Sequence, residues 1–193
     1  YVRILAEKLQ DHPRFRGELN EEIIQLLFKS APLHDVGKVA TPDAILLKQG
    51  KLTPEEWVIM KLHCEYGRNA IVQAENALGG AVDASFLRYA AEIAYGHHER
   101  WDGNGYPEGL AGEAIPVSAR LMAVADVYDA LISRRVYKPP FPHEQAIEMM
   151  FAEKGSHFDP DIVDALMLVA GDFAAIARNF SDESGSEDSA SSE

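Results

Sequence analysis

The chain is short of thiols, of positive charge and of long apolar runs, and each shortage excludes something. One cysteine among 193 residues, Cys64, rules out an intrachain disulfide and a thiolate zinc cluster. Lys and Arg number 18 against 31 Asp and Glu, so the formal net charge is −13. A protein that coats DNA or RNA needs a basic footprint to displace counterions, and an electrostatic membrane anchor needs one too. The balance argues against both. No transmembrane run is present, and residues 1–10, YVRILAEKLQ, read as an amphipathic helix rather than a charged head before an apolar core. A reducing, cytoplasmic setting fits these absences. The chain has no initiating Met and opens within a helix, which reads as a piece of something longer.

What is present is enough for one core: 47% of residues are apolar, in a chain of single-domain length. Their spacing is helical. Ile23, Ile24, Leu27, Phe28 and Ala31 repeat at three and four, predicting one buried stripe. Thr53-Pro54-Glu55-Glu56 is a helix start with a capping box, and its helix carries Trp57, Met60 and Lys61 towards His63. Further helices are predicted over 84–98, 116–133, 142–153 and 160–179, the last capped by Asp159. Their inward residues are Phe86, Ala90, Ile93 and Ala94, then Leu121, Val124, Ala125, Tyr128 and Leu131. Two-residue alternation between turn signals is missing, so the fold class is all-α with about seven helices. Two Gly-rich segments, 36–52 and 101–115, follow histidines directly and read as functional loops. The domain spans 1–180. Residues 181–193 hold five acids and no base, with no large apolar residue, and read as a solvated, disordered tail that leaves −8 on the rest.

Six residues carry the chemistry: His34, Asp35, His63, His97, His98 and Asp126. Asp126 sits inside the apolar run LMAVADVYDAL, where an ionised carboxylate is expensive unless paired or bound to a metal. His97 follows Ile93 by four residues and shares its core-facing stripe. Each residue alone reads as packing, a cap or an ion pair. Together they form a mixed N/O ligand set suited to Fe or Mn, and also to Zn, Ni or Co, while the lack of thiolates disfavours a structural zinc site. Cys64 follows His63 in a helix, points roughly 100° away and reads as packing. Glu99 reads as a partner that orients a ligand imidazole, and Asp102 as that or a loop cap.

His34-Asp35-Val36-Gly37-Lys38 and the run His97-His98-Glu99-Arg100-Trp101-Asp102-Gly103-Asn104-Gly105-Tyr106-Pro107 resemble the HD-GYP family of cyclic-di-GMP phosphodiesterases. So do KLTPEEW, GLAGEAIPVSARLMAVADVYDAL, SRRVYK and GSHFDP, and the likeness runs from residue 1 to about 179. The wording is most similar to the output domain of a two-component response regulator. The resemblance implies an HD-type helical core holding two or three divalent metals, Fe or Mn. Its ligands would be the six residues above, with Asp35 bridging. It implies that Lys38 meets the substrate phosphate, and that Tyr106, Arg135 and Lys138 contact the dinucleotide. Without it, Arg135 and Lys138 read as a solvated helix end. Members with three metals take a Glu and a His from an E-x-x-x-H motif on the first helix. That motif is expected just ahead of Tyr1, so this chain is expected to hold two metals, and a longer form three.

The implied chemistry is hydrolysis of cyclic-di-GMP to pGpG, and on to GMP. Metals activate water and neutralise charge at phosphorus, Lys38, Arg135 and Lys138 add fixed positive charge, and Gly103, Gly105, Gly109 and Pro107 shape a loop that approaches the ligand. Implied partners are an upstream receiver or sensory domain, diguanylate cyclase domains docked through the GYP loop, and a second copy in a homodimer. Two alternatives stay open: a catalytically weak module that senses cyclic-di-GMP or docks on diguanylate cyclases, and a hydrolase of cyclic GMP–AMP.

Overall fold

The computed structural model describes residues 1–78, 85–133 and 139–187. Among them are nine α-helical segments: α1 (Val2–Leu9), α2 (Glu21–Ser30), α3 (Asp43–Leu46), α4 (Pro54–Lys61), α5 (His63–Leu78), α6 (Ser85–Gly96), α7 (Val117–Ile132), α8 (His143–Ala152) and α9 (Pro160–Glu187). Three 3₁₀ turns, Ala31–Leu33, Val36–Ala40 and Gly112–Ala114, join them. The described residues contain two isolated β-bridges and no strand. The all-α expectation holds. The extra segments are the four-residue α3 inside the first Gly-rich loop and the division of the Thr53 helix into α4 and α5 at Leu62.

Local signals account for the helix starts. The Asn20 side chain accepts from the Ile23 N–H ahead of Glu21 and Glu22, and Thr53 and Glu56 form the full capping box. Asp159 accepts from the Asp161 N–H to cap α9 and also binds the Arg120 guanidinium at 2.7 Å and that of Arg14 at 3.2 Å. A buried carboxylate is tolerable there because two cations and an amide satisfy it.

α7 is the central helix, with Leu121, Val124, Ala125 and Tyr128 buried and α1, α6, α8 and α9 packed around it. Tyr128 lies edge-on to Tyr1 and Phe173, and its hydroxyl reaches His143 Nδ1 at 2.7 Å. A smaller cluster of Ile71, Leu87, Ala90 and Ala94 joins α5 to α6. One stripe residue departs from expectation. Ile24 and Leu27 are buried, but Phe28 is 53% exposed, because one helical step carries it past the contact to lie beneath the Arg3 guanidinium. The last helix also runs on to Glu187, into the acidic segment read as disordered. A helix already formed adds one hydrogen bond per further residue and can propagate without a face to bury. Residues 188–193 lie outside the described residues.

The first Gly-rich loop is held against α5 by Gly37. A Cβ there would stand 1.9 Å from the His63 carbonyl oxygen and 2.5 Å from the Gly67 nitrogen. Only glycine lets the His34–Lys38 segment lie directly on the helix that carries His63.

Candidate metal centre

Four histidines converge where the end of α6, the start of α5 and the turn after α2 meet. The ring centroids of His97 and His98 are 4.0 Å apart, those of His63 and His98 5.1 Å, and those of His34 and His97 5.3 Å. Three rings are oriented by the backbone of the preceding turn: His34 Nδ1 lies 2.9 Å from the Ala31 carbonyl, His63 Nδ1 2.7 Å from that of Met60, and His97 Nδ1 2.9 Å from that of Ile93. A ring nitrogen on a carbonyl must donate, so Nδ1 carries the proton and each Nε2 keeps its lone pair. That is how metal-ligating imidazoles are held.

The three Nε2 atoms surround one carboxylate. Asp35 Oδ1 is 3.5 Å from His63 Nε2 and 3.8 Å from His97 Nε2, while Oδ2 is 3.3 Å from His34 Nε2 and 2.5 Å from Lys38 Nζ. Asp126 Oδ1 faces His34 Nε2 at 3.7 Å. Nitrogen and oxygen ligands lie about 2.0–2.2 Å from a divalent ion, so two that share one are roughly 3–4 Å apart. The separations here fall in that range. Asp35 Oδ1 and His97 Nε2 are moreover buried without a hydrogen-bond partner. Buried polar atoms are rarely left so, and an ion between them would satisfy both. The cluster fits a divalent metal.

Electrostatics agree. Burial alone would push the Asp35 carboxyl up, but His34 and Lys38 hold it well below the usual carboxylate range. Burial lowers His63, takes His97 down to about 3 with help from charge at His34, and takes His98 down to about 2 with help from His97 and His63. Burial draws His34 down more than any single partner raises it, but the Asp35 carboxylate, the Ala31 carbonyl and the Asp126 charge together outweigh it, and the group lies above its ordinary value. His63, His97 and His98 are thus held as neutral imidazoles beside an ionised carboxylate, the protonation states that metals require.

The second Gly-rich loop covers His98. The Glu99 carboxylate, almost wholly buried, accepts from three successive backbone N–H groups, those of Glu108 at 2.8 Å, Gly109 at 3.2 Å and Leu110 at 3.0 Å. Glu99 therefore anchors the loop, whereas the sequence suggested that it orients an imidazole. Asp102 is a loop cap, accepting from the Asn104 N–H and pairing with Arg100. Gly105 faces back onto the chain: a Cβ there would lie 2.3 Å from the Arg100 nitrogen and 2.6 Å from the His98 oxygen. Gly103 and Gly109 have φ of +79° and +69°, a left-handed backbone that favours glycine. The glycines thus shape the loop itself. Tyr106, joined to Pro107 by a cis bond, lays its ring 4.8 Å from that of His98, with Lys61 Nζ 5.0 Å from the Tyr106 ring centroid. Beside them opens a cavity of 680 Å³ lined by Trp57, Lys61, His98, Arg100, Tyr106 and His157.

A family model described as HD domain matches residues 13–162, most of the chain and all of this cluster. The chain belongs to the HD domain family. Among its relatives is a cyclic di-GMP phosphodiesterase of Vibrio cholerae, 55% identical over 94% of this chain and 36% of its own length. The cyclic di-GMP phosphodiesterase response regulator RpfG of Xanthomonas campestris is 45% identical over 84% of this chain and 41% of its own length. A 3′3′-cGAMP-specific phosphodiesterase of Vibrio cholerae is 44% identical over 85% of this chain and 30% of its own length. The HD domain chain thus spans well under half of the relatives it matches. Their names agree with the HD-GYP resemblance read from the sequence.

Of the residues singled out in the sequence, this HD domain brings His34, Asp35, His63, His97, His98 and Asp126 together, with Lys38 and Tyr106 at the edge. Arg135 and Lys138 lie outside the described residues. Cys64 is buried as expected, and its Sγ also lies 3.5 Å from His63 Nε2, close to donor atoms of His63, His97 and His98. A 100° turn separates side chains that follow one another in a helix, yet a ring as long as imidazole reaches back across it. No helix of the described residues is long and apolar enough to cross a membrane.

Proposed function

We propose that this HD domain hydrolyses cyclic-di-GMP to pGpG, and on to GMP, with two divalent metals, Fe or Mn, held by His34, Asp35, His63, His97, His98 and Asp126. The observation that carries the reading is the division of the Asp35 carboxylate, one oxygen turned to His63 and His97 and the other to His34. A carboxylate so divided is suited to bridge two ions. The relatives' names add the substrate class.

Two ions so placed would lower the pKa of a water and neutralise charge building on phosphorus. The protein supplies the rest. Backbone carbonyls fix the imidazoles before substrate arrives, so no reorganisation is needed at the moment of reaction. Lys38, half-exposed beside Asp35 Oδ2, offers its ammonium to a phosphate oxygen. Burial pushes the Tyr106 hydroxyl up, so it stays protonated and acts as a donor to the substrate. Arg135 and Lys138 add positive charge, and Gly103, Gly105 and Pro107 hold the loop that presents Tyr106. The local field at the phosphates is positive although the chain as a whole is acidic.

In the cell we place the domain, residues 1–180 with 181–193 appended, in the cytoplasm. It would lie downstream of a receiver or sensory domain, as the response-regulator relative suggests. Longer forms would add a third metal through a Glu and a His ahead of Tyr1. A homodimer and docking of diguanylate cyclase domains on the GYP loop complete the proposed partners.

A second reading, hydrolysis of cyclic GMP–AMP, is favoured by the relative of that specificity at 44% identity. The test is parallel incubation of the Mn²⁺- or Fe²⁺-loaded chain with both dinucleotides, followed by chromatography of the products. pGpG formed faster than any product of cyclic GMP–AMP is expected. Preference for the mixed dinucleotide overturns the substrate assignment, and binding without turnover makes the chain a sensor.

A further inference from the structure

Cys64 gives the histidine cluster a donor that the Asp35-centred arrangement does not use. One donor atom from each of His63, Cys64, His97 and His98 lies within 4.8 Å of the other three. The Cys64 side chain is wholly buried, and its Sγ stands 3.5 Å from His63 Nε2. Tetrahedral zinc has Zn–N near 2.0–2.1 Å and Zn–S near 2.3 Å, which sets a nitrogen–sulfur edge of roughly 3.5–3.6 Å. His97 Nε2 is buried and has no hydrogen-bond partner, so its lone pair is open to an ion on either side of the cluster.

We propose that this cluster has a second mode of metal binding, in which His63, Cys64, His97 and His98 capture a thiophilic ion such as Zn²⁺ or Cd²⁺. Soft thiolate selects such ions, whereas the carboxylate-rich half around Asp35 and Asp126 suits harder ones. On capture the S–H bond of Cys64 breaks, its proton leaves to solvent, its electron pair goes to the ion, and no oxidation state changes. The two modes exclude each other. His63 Nε2 and His97 Nε2 also face Asp35 Oδ1 at 3.5 Å and 3.8 Å, and each has a single lone pair to give. A thiophilic ion therefore takes two donors from the catalytic arrangement and inhibits it.

The inference rests on the reading that these histidines hold metal, and the test separates the two. Co²⁺ is added without oxygen to the metal-free full chain, and its absorption spectrum and bound cobalt are measured. A thiolate-to-cobalt charge-transfer band is expected in the near ultraviolet. Because Cys64 is the sole cysteine, such a band has one source. It is expected to vanish in Cys64→Ser and Cys64→Ala that keep their helical circular dichroism and still bind cobalt. Affinity for Zn²⁺ is expected to fall about tenfold or more, with Mn²⁺ affinity changed far less. Bound cobalt with no thiolate band in the unsubstituted chain overturns the second mode and leaves the first standing, whatever the variants do. A band that survives in Cys64→Ser overturns it too. No cobalt uptake at all overturns both.

Discussion

Lys38 Nζ lies 2.5 Å from Asp35 Oδ2, on the oxygen turned away from His63 and His97. The ion pair keeps the carboxylate charged and leaves the lysine at the rim, where a phosphate oxygen can share it. Both side chains are about one-third exposed, so the pair itself adds only about 0–1 kcal/mol to folding. Lys38→Ala is expected to lower kcat about 10²–10³-fold, as loss of one charge-stabilising donor does. Metal content and melting temperature should stay near those of the parent chain. Steady-state kinetics beside elemental analysis checks this, and lost metal with lost activity would make Lys38 structural.

Gly37→Ala tests the seating of the first loop on α5. Its Cβ would meet backbone on both sides, 1.9 Å from the His63 oxygen and 2.5 Å from the Gly67 nitrogen, and backbone cannot rotate away. Overpacking of this kind costs about 1–3 kcal/mol, with roughly 2–4 °C of melting temperature per kcal/mol in a chain this size. Metal affinity should fall with it, because His63 and Asp35 are pulled apart. Gly17→Ala, with open space around its Cβ, is the control and should melt unchanged.

Glu99→Gln tests the loop anchor. One of its two oxygens becomes an NH₂ that faces an N–H, and a buried donor left unpaired costs about 1–3 kcal/mol. Amide exchange over residues 104–110 should quicken and KM for the dinucleotide should rise, while bound metal is retained. Unchanged exchange would show that the three hydrogen bonds to Glu99 do not hold the loop.

Much of this was legible in the sequence, and the misses share a cause. Thr53 and Glu56, Asn20 and Asp159 announce helix starts because a cap acts within its own turn. His34, Asp35, His97 and His98 announce a site because their chemistry is scarce and their spacing distinctive. Phe28 and Glu99 were misjudged because their partners lie elsewhere in the chain: Arg3 above Phe28 and the 108–110 backbone around Glu99. Helical period says which face a residue is on, not what that face meets.

The metal-free protein should lose stability in acid. His97 and His98 have native values of about 3 and about 2, far below the ordinary 6.5. Between pH 6.5 and about 3 the unfolded chain binds protons there that the native one does not, so stability falls as pH falls. Each histidine weighs up to about 1.4 kcal/mol per pH unit in that window. Asp35, held low, acts in the same direction once pH drops below the ordinary carboxylate range. His34 acts oppositely, its contribution complete below 6.5 and lost as pH rises through its raised value. Melting temperature of chelator-treated protein should therefore decline from pH 6.5 to 4, less steeply in His98→Asn. A flat or rising profile would mean that the buried imidazoles are charged.

The most direct test measures bound metal and cyclic-di-GMP turnover on the same preparations of the parent chain and Asp35→Ala. Asp35 contributes no apolar burial, so the helical circular dichroism of the variant should match the parent. The parent should carry about two Mn²⁺ or Fe²⁺ per chain, the count for two-metal phosphoryl chemistry, and form pGpG. The variant should lose most of that metal and at least about 10²-fold in turnover. Parent-like turnover by Asp35→Ala, or a metal-loaded parent that leaves cyclic-di-GMP intact, would contradict the account.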